Sequence, residues 1–233
     1  MIVIGIDTST SQTSVAVGTE NEILAKASVA GPARQESVTP LLQELLTRSD
    51  LTMSQIGGVA VGVGPGLFTG LRVGVETAKT LAQVSGVPIV AVTSLDALAH
   101  PMRHSPRLIA AVIDARRGEV FSAIYRAVPG GVVRERDYTV HPPDRLMAEL
   151  QAMPGEVLAV GNGAMLYRHV LEEIGSRIEF ASSIAAHPEA SAMVELAVPR
   201  FLREEHDRLF DVVPLYLRKS DAEIAWDRRA RGV

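Results

Sequence analysis

A chain of 233 residues, 47% hydrophobic and 21% charged, can bury a sizeable core, as one large or two small domains. Its net charge of −4 supplies no overall basic field for nucleic acid, so any RNA contact must be local or brought by a partner. The absence of cysteine excludes disulfides, thiolate nucleophiles and Cys-ligated zinc.

Ile2 to Ile6 reads as a buried strand, and the chain reaches Asp7 too soon for a secretory signal. No apolar run approaches the roughly 20 residues of a membrane-spanning helix. The expectation is a soluble, cytoplasmic protein with no membrane contact. Asp7-Thr8-Ser9-Thr10-Ser11-Gln12 is a polar turn, followed by strands over 13–18 and 23–28. Three adjacent strands form an antiparallel meander, unlike the opening of a dinucleotide-binding fold. After Gly31-Pro32, the apolar residues Val38, Leu41, Leu42, Leu45 and Leu46 recur at helical spacing, predicting an amphipathic helix over 38–49. A strand at 59–61 then runs into Gly64-Pro65-Gly66-Leu67-Phe68-Thr69-Gly70-Leu71-Arg72-Val73-Gly74.

This glycine-rich stretch opens a second helix over 70–85, with Leu71, Val75, Ala78 and Ala82 on one face and Gly86 as its stop. A helix start can hold an anion, but the stretch fits neither a P-loop nor G-x-G-x-x-G. Phe68 occupies the centre of what would be a nucleophile elbow. Arg72 sits in the first turn of this helix, against the dipole preference for anions there, which hints at a carboxylate partner or another contact. A strand over 89–92 and a helix from Ser94 towards His100 close the first half, and 100–106 reads as a linker. His100 and His104 have i, i+4 spacing, but Pro101 lies between them and the glutamate of a zinc helix is missing, so no metal site is expected.

The second half repeats the opening grammar. Leu108 to Ile113 is a strand ending in Asp114; Ala115-Arg116-Arg117-Gly118 is a polar turn; strands follow over 119–125 and 132–138. Helices over 142–153, 164–174 and 190–205 and a strand over 157–160 complete it. Two related α/β halves, 1–104 and 105–233, with a cleft between them are the expectation. His141, His169 and His187 read as surface or capping residues. The tail around Trp226-Asp227-Arg228-Arg229-Ala230-Arg231 is basic.

Strand-end carboxylates facing such a cleft are metal–nucleotide positions in principle. Asp7 and Asp114, with the hydroxyls of Thr8, Ser9 and Thr10, are the candidates for phosphate contact. Aspartate also simply caps turns. An active ATPase would use glycine in these turns to bring backbone to phosphate; the first turn has none, and the second reaches Gly118 only after two arginines. Asp114, Arg116 and Glu119 are placed to form one cluster around that turn.

The opening Ile4-Gly5-Ile6-Asp7-Thr8-Ser9-Thr10, the loop Gly64–Gly74, the turn Ile113-Asp114-Ala115-Arg116-Arg117-Gly118-Glu119-Val120-Phe121 and Pro214-Leu215-Tyr216-Leu217-Arg218 together resemble the bacterial TsaB family of tRNA threonylcarbamoyladenosine biosynthesis proteins. The most specific of these motifs is the loop, through Gly64, Pro65, Gly66, Phe68, Thr69 and Gly70. The resemblance implies a two-lobed acetate kinase/sugar kinase/Hsp70/actin-like fold, each lobe a mixed sheet with flanking helices. It implies a subunit with no catalytic residues and no cofactor of its own, bound to a TsaD-like catalytic subunit that transfers threonylcarbamoyl to the adenosine beside the anticodon. ATP or ADP and Mg2+ or another metal belong to the partner complex, which a TsaE-like ATPase joins and through which tRNA is met. The two helices of the first lobe form the partner interface, here with Val38, Leu41, Leu42, Leu45, Leu71, Arg72, Val73, Val75 and Thr77, and the lone chain can form a homodimer through the same patch. Catalytic relatives carry an H-x-x-x-H metal pair where this chain has Arg34-Gln35-Glu36-Ser37-Val38-Thr39. Leu67 stands where members often have serine. A free-standing ATPase or small-molecule kinase of the same fold is the alternative, and a peptidase is the weakest reading.

Overall fold

The computed structural model describes residues 1–31 and 37–218. Arg34, Gln35 and Glu36 and the basic tail lie outside the described residues. Two five-stranded sheets carry the fold. In the first, β1 (Ile2–Asp7), β2 (Gln12–Gly18) and β3 (Ile23–Ala30) form an antiparallel meander, while β4 (Ile56–Gly62) and β5 (Ile89–Val92) add in parallel, giving the order β3-β2-β1-β4-β5. In the second, β6 (Leu108–Arg116), β7 (Glu119–Val128) and β8 (Gly131–His141) form the meander, and β9 (Val157–Val160) and β10 (Ile178–Phe180) the parallel extension, in the order β10-β9-β6-β7-β8. Read from the other edge, the second order is the first repeated strand for strand. The repeat expected from two Asp-ended strands therefore extends to whole sheets.

Strand period sorts the side chains. On β1, Ile4 and Ile6 face α1 (Val38–Arg48) and α2 (Phe68–Ser85), while Val3 faces the opposite layer. Val38, Leu42, Leu45 and Leu46 of α1 and Val75, Ala78 and Ala82 of α2 complete the first core. Gly86 closes α2 in the left-handed conformation, at φ 66°. The helix begins at Phe68, two residues before the expected start, because Leu67 is already extended and needs no side-chain cap.

Each half lends its last helix to the other half's layer. α3 (Ser94–Ala99) follows the first sheet, yet Leu95, Leu98 and Ala99 pack with Ile109, Ala111 and Ile113 of β6. α4 (Pro143–Ala152), α5 (Asn162–Leu166) and α6 (Arg168–Leu171) cover the other face of the second sheet. The expected 164–174 helix is broken at Tyr167 and ends in 3-10 turns. α7 (Ala190–Leu202) returns to the first sheet, with Met193, Val194 and Phe201 against Val3, Ala60 and Val90. Asp207 then lies along the free edge of β5: its N–H donates to Ile89 O (2.9 Å), and Ala91 N–H donates to its carboxylate (2.7 Å). That cover protects an otherwise unpaired edge.

A polar network that sequence reading missed pins α3 to the second sheet. Tyr125 and Tyr138 both donate to Asp96, at 2.7 Å and 2.9 Å, and the Thr93 hydroxyl caps Asp96 N–H at 3.1 Å. Burial pushes the Tyr125 hydroxyl well above its ordinary range and the Tyr138 hydroxyl up to about 12, so both remain donors. We expect Asp96→Ala to cost about 2–3 kcal/mol in thermal or urea unfolding, since it strands the buried Tyr125 hydroxyl. Adding Tyr125→Phe should recover part of that loss; full additivity would argue against the coupling.

His141 is a correction. It is 4% exposed, not a surface residue, and is held by Thr139 Oγ1 (3.0 Å) and Pro142 O (3.1 Å). His100 and His104 do not act together either: His100 is buried against Glu195 of α7 (3.0 Å) and His104 is exposed.

Candidate functional site

The β1–β2 turn is closed by its own chain. Asp7, Thr8, Ser9 and Thr10 are each at most 2% exposed. Asp7 Oδ1 accepts from Ser9 N–H (3.1 Å) and Ser9 Oγ–H (2.8 Å), and Oδ2 accepts from Ser94 Oγ–H (3.2 Å). Thr8 Oγ1 donates to Gly70 O in the first turn of α2, at 2.7 Å. Burial pushes the Asp7 carboxyl up from 3.8 to about 6, against the hydrogen bonds from Ser9 and Ser94 that favour its charged form. The groups proposed for phosphate contact are thus committed internally, and an anion would have to displace α2 to reach them. Asp114 is likewise 6% exposed and committed to its own turn: it accepts Arg116 N–H at 2.8 Å and pairs with the Arg116 guanidinium at 3.1 Å. Glu119, expected in the same cluster, instead pairs with Arg218 at 3.0 Å.

The glycine loop is what seals the first turn. Leu67 N–H donates to Ser9 O (2.7 Å), Ser94 N–H to Gly64 O (2.8 Å), and Leu215 N–H to Val63 O (2.7 Å), so the loop is tied to the turn, to α3 and to the C-terminal segment. The Gly64–Pro65 peptide is cis. A Cβ on Gly66 would stand 2.2 Å from Ser9 O, and one on Gly74 would stand 2.2 Å from Thr8 Oγ1. Glycine at these positions lets helix and turn touch. Gly74→Ala should therefore lower the melting midpoint, although alanine is the better helix former by about 1 kcal/mol, because the clash costs about 1–3 kcal/mol and breaks the Thr8–Gly70 bond. A more stable variant would mean that the contact does not constrain the loop.

The helices separate the expected interface residues into two groups. Val38, Leu42, Leu45, Leu71 and Val75 are 0–5% exposed and belong to this chain's own core. That corrects their assignment as contact residues: helical spacing identifies the apolar face, and in this chain that face is already covered by the sheet. Leu41, Val73 and Thr77 are half-buried and Arg72 is exposed. On the outer side of α2, Val73, Thr77, Thr80 and Val84 recur at i, i+4, i+7 and i+11, and Val84 is 83% exposed.

Beside the loop lies a cleft of about 520 Å³ between the start of α2, the β6–β7 turn and the segment 215–218. Its wall carries Phe68 stacked on Tyr216, with ring centroids 4.6 Å apart, and Arg72 over the Phe68 ring at 4.0 Å. Arg72 Nε donates to the Tyr216 hydroxyl at 3.0 Å. Arg72, read as pairing with a carboxylate or another group, thus takes an aromatic contact. Arg116 and Arg117, on a turn where Arg116, Arg117 and Gly118 all have positive φ, also line the cleft, as does Arg218 of the segment 215–218. Tyr216 was legible only as part of a motif; nothing in its spacing marks it as Phe68's partner.

The family model described as "TsaD: tRNA N6-adenosine threonylcarbamoyltransferase" matches residues 26–226. The chain is 31% identical to the tRNA threonylcarbamoyladenosine biosynthesis protein TsaB of Bacillus subtilis (strain 168), over 97% of this chain and 98% of the relative. The solved structure of YeaZ from Pseudomonas aeruginosa superposes with a TM-score of 0.79 at 26% identity, covering 93% of this chain and 99% of that one. Component A of (R)-2-hydroxyglutaryl-CoA dehydratase from Acidaminococcus fermentans shares the fold at a TM-score of 0.52 and 13% identity, over 86% of this chain and 98% of that one. The two repeated sheets are those of the actin-like fold, as the sequence resemblance implied. With its glycine loop, its repeated sheets and a relative matched end to end, the chain belongs to the TsaB family, within the wider family that the threonylcarbamoyltransferase model describes.

Proposed function

We propose that this chain is the non-catalytic subunit of a tRNA threonylcarbamoyladenosine-forming complex and that it pairs with a TsaD-like catalytic subunit. The observation that carries the non-catalytic part is the closed β1–β2 turn, whose carboxylate and hydroxyls are spent on Ser9, Ser94 and Gly70. The outer faces of α1 and α2 form the pairing surface, with Leu41, Arg72, Val73 and Thr77 at its centre and Val84 at its end. A helix face of valines and threonines without charges of its own along the stripe, ending in the exposed Val84, is the kind of surface that another helix covers. In the lone chain the same stripe supports a homodimer. Nucleotide, metal, a TsaE-like ATPase and tRNA are met through the assembly, and this chain holds no cofactor of its own.

The test is reconstitution of tRNA modification with cognate subunits. Threonylcarbamoyladenosine formation should require this chain and should proceed at an undiminished rate with Asp7→Asn. Loss of modification by Asp7→Asn, with pairing intact, would assign the carboxylate a chemical role and overturn the non-catalytic reading.

A further inference from the structure

The cleft beside Phe68 adjoins the pairing surface and shares Arg72 with it, and its other side chains have no part in the pairing role. Arg72 has no carboxylate partner among the described residues; its guanidinium rests on Phe68 and the Tyr216 hydroxyl. Arg116 pairs with Asp114 and Arg218 with Glu119, and a guanidinium held by one carboxylate keeps other donors for a second acceptor. Among the described residues, Arg72, Arg116 and Arg218 set three guanidinium groups against the two carboxylates of Asp114 and Glu119, a positive balance on a chain of net charge −4. Tyr216 is stacked on one face by Phe68 and is still 41% exposed, so it can meet a ligand from the cleft. The cleft's volume of about 520 Å³ is within the range of about 300–1,000 Å³ found for small-ligand sites.

We propose that this cleft takes a nucleotide of single-stranded RNA, with the base stacked on Tyr216 and the flanking phosphates met by Arg72, Arg116 and Arg218. An aromatic platform beside a positive groove is how single strands are held without duplex geometry. An acidic peptide would satisfy the arginines but has no ring to set on Tyr216. A free mononucleotide would use the same ring and arginines, and competition with AMP distinguishes it from an RNA strand. The choice of RNA rests on the tRNA-modifying role proposed above; the cleft's charge and aromatic pair do not.

The test is fluorescence anisotropy of a labelled single-stranded RNA of about ten nucleotides, inside the site sizes of single-strand binders, titrated with the full chain at low salt. Tyr216→Ala should weaken binding about tenfold and Tyr216→Phe by less than twofold. Arg116→Glu should weaken it by at least as much as Tyr216→Ala and should flatten the salt dependence. Melting curves on the same preparations show that each variant is folded. Unchanged binding in both Tyr216→Ala and Arg116→Glu would overturn the proposal. So would displacement of the RNA by polyglutamate in preference to unlabelled RNA, or by AMP at equal nucleotide concentration. Co-elution with the TsaD-like subunit, measured in parallel, separates the two readings: RNA binding without pairing overturns the pairing role alone, and pairing without RNA binding overturns this site alone.

Discussion

Asp7→Asn raises the stability of the chain at neutral pH. The Asp7 carboxyl is buried and titrates near 6 in the folded protein against 3.8 in the exposed chain, a difference worth about 3 kcal/mol. The sign follows from which state holds the proton. Below 3.8 both states are protonated and the group is neutral to stability. As pH rises from about 4 to 6 the unfolded chain ionises first, so stability is lost; above about 6 the full cost of the buried charge is present. Asparagine removes that charge and retains the geometry: its Oδ1 can still accept from Ser9, and its amide can donate to a rotated Ser94 hydroxyl. Melting curves from pH 4 to 8 should show variant and wild type together at the acid end, then a gap that opens between pH 4 and 6 and stays constant above. A variant less stable than wild type at pH 7 would mean that the negative charge is itself required there, as it would be in a cation-binding site of an ATPase.

Val73→Asp abolishes pairing with the TsaD-like subunit while leaving the fold intact. Val73 lies on α2 two residues from Leu71 and Val75, which are fully buried, yet it is on the outer face. Val73 is half-buried, so the substitution should cost about 1 kcal/mol of stability, too little to unfold the chain. A carboxylate pressed into an apolar interface, by contrast, costs about 2–5 kcal/mol, or roughly 30-fold to several-thousand-fold in affinity. Leu71→Ala should behave in the opposite way: it opens a cavity in the core worth about 2–5 kcal/mol of stability, and pairing should be retained by the fraction that remains folded. The contrast separates the inner face of α2 from its outer face in one experiment.

How much of this was legible in the sequence depended on periodicity. The continuous apolar runs of β1 and β6, buried on both faces, and the 3-4 spacing on α1 and α2 are direct consequences of burial, so the elements and the repeat could be read. The same logic misdirected the site assignment. Val38, Leu42 and Leu45 are spaced for a helix face, but spacing does not tell whether a sheet of the same chain or a partner covers it; here the sheet does. The return of α7 to the first sheet joins Met193 and Val194 with Val3, Ala60 and Val90, far away in the chain, and α3 packs on the sheet of the following half rather than its own; no local pattern encodes either choice. His141 read as a surface or capping residue because its burial depends on the β7–β8 register, which brings Ser122 to it beside Thr139 of its own strand. Asp96, Tyr125 and Tyr138 are spread over three elements and carry no motif. The role of Gly66 and Gly74, in contrast, was close to legible: glycine after a strand signals a close approach, and the structure identifies what is approached as the Asp7–Thr10 turn rather than an anion.

The claim that this chain acts by pairing is tested most directly by size-exclusion chromatography of the purified chain with its cognate TsaD-like subunit, with and without nucleotide. The account predicts one co-eluting complex with the wild-type chain and with Leu41→Ala at reduced affinity, and two separate peaks with Val73→Asp. Failure of the wild-type chain to co-elute, or a complex that persists unchanged with Val73→Asp, would contradict it.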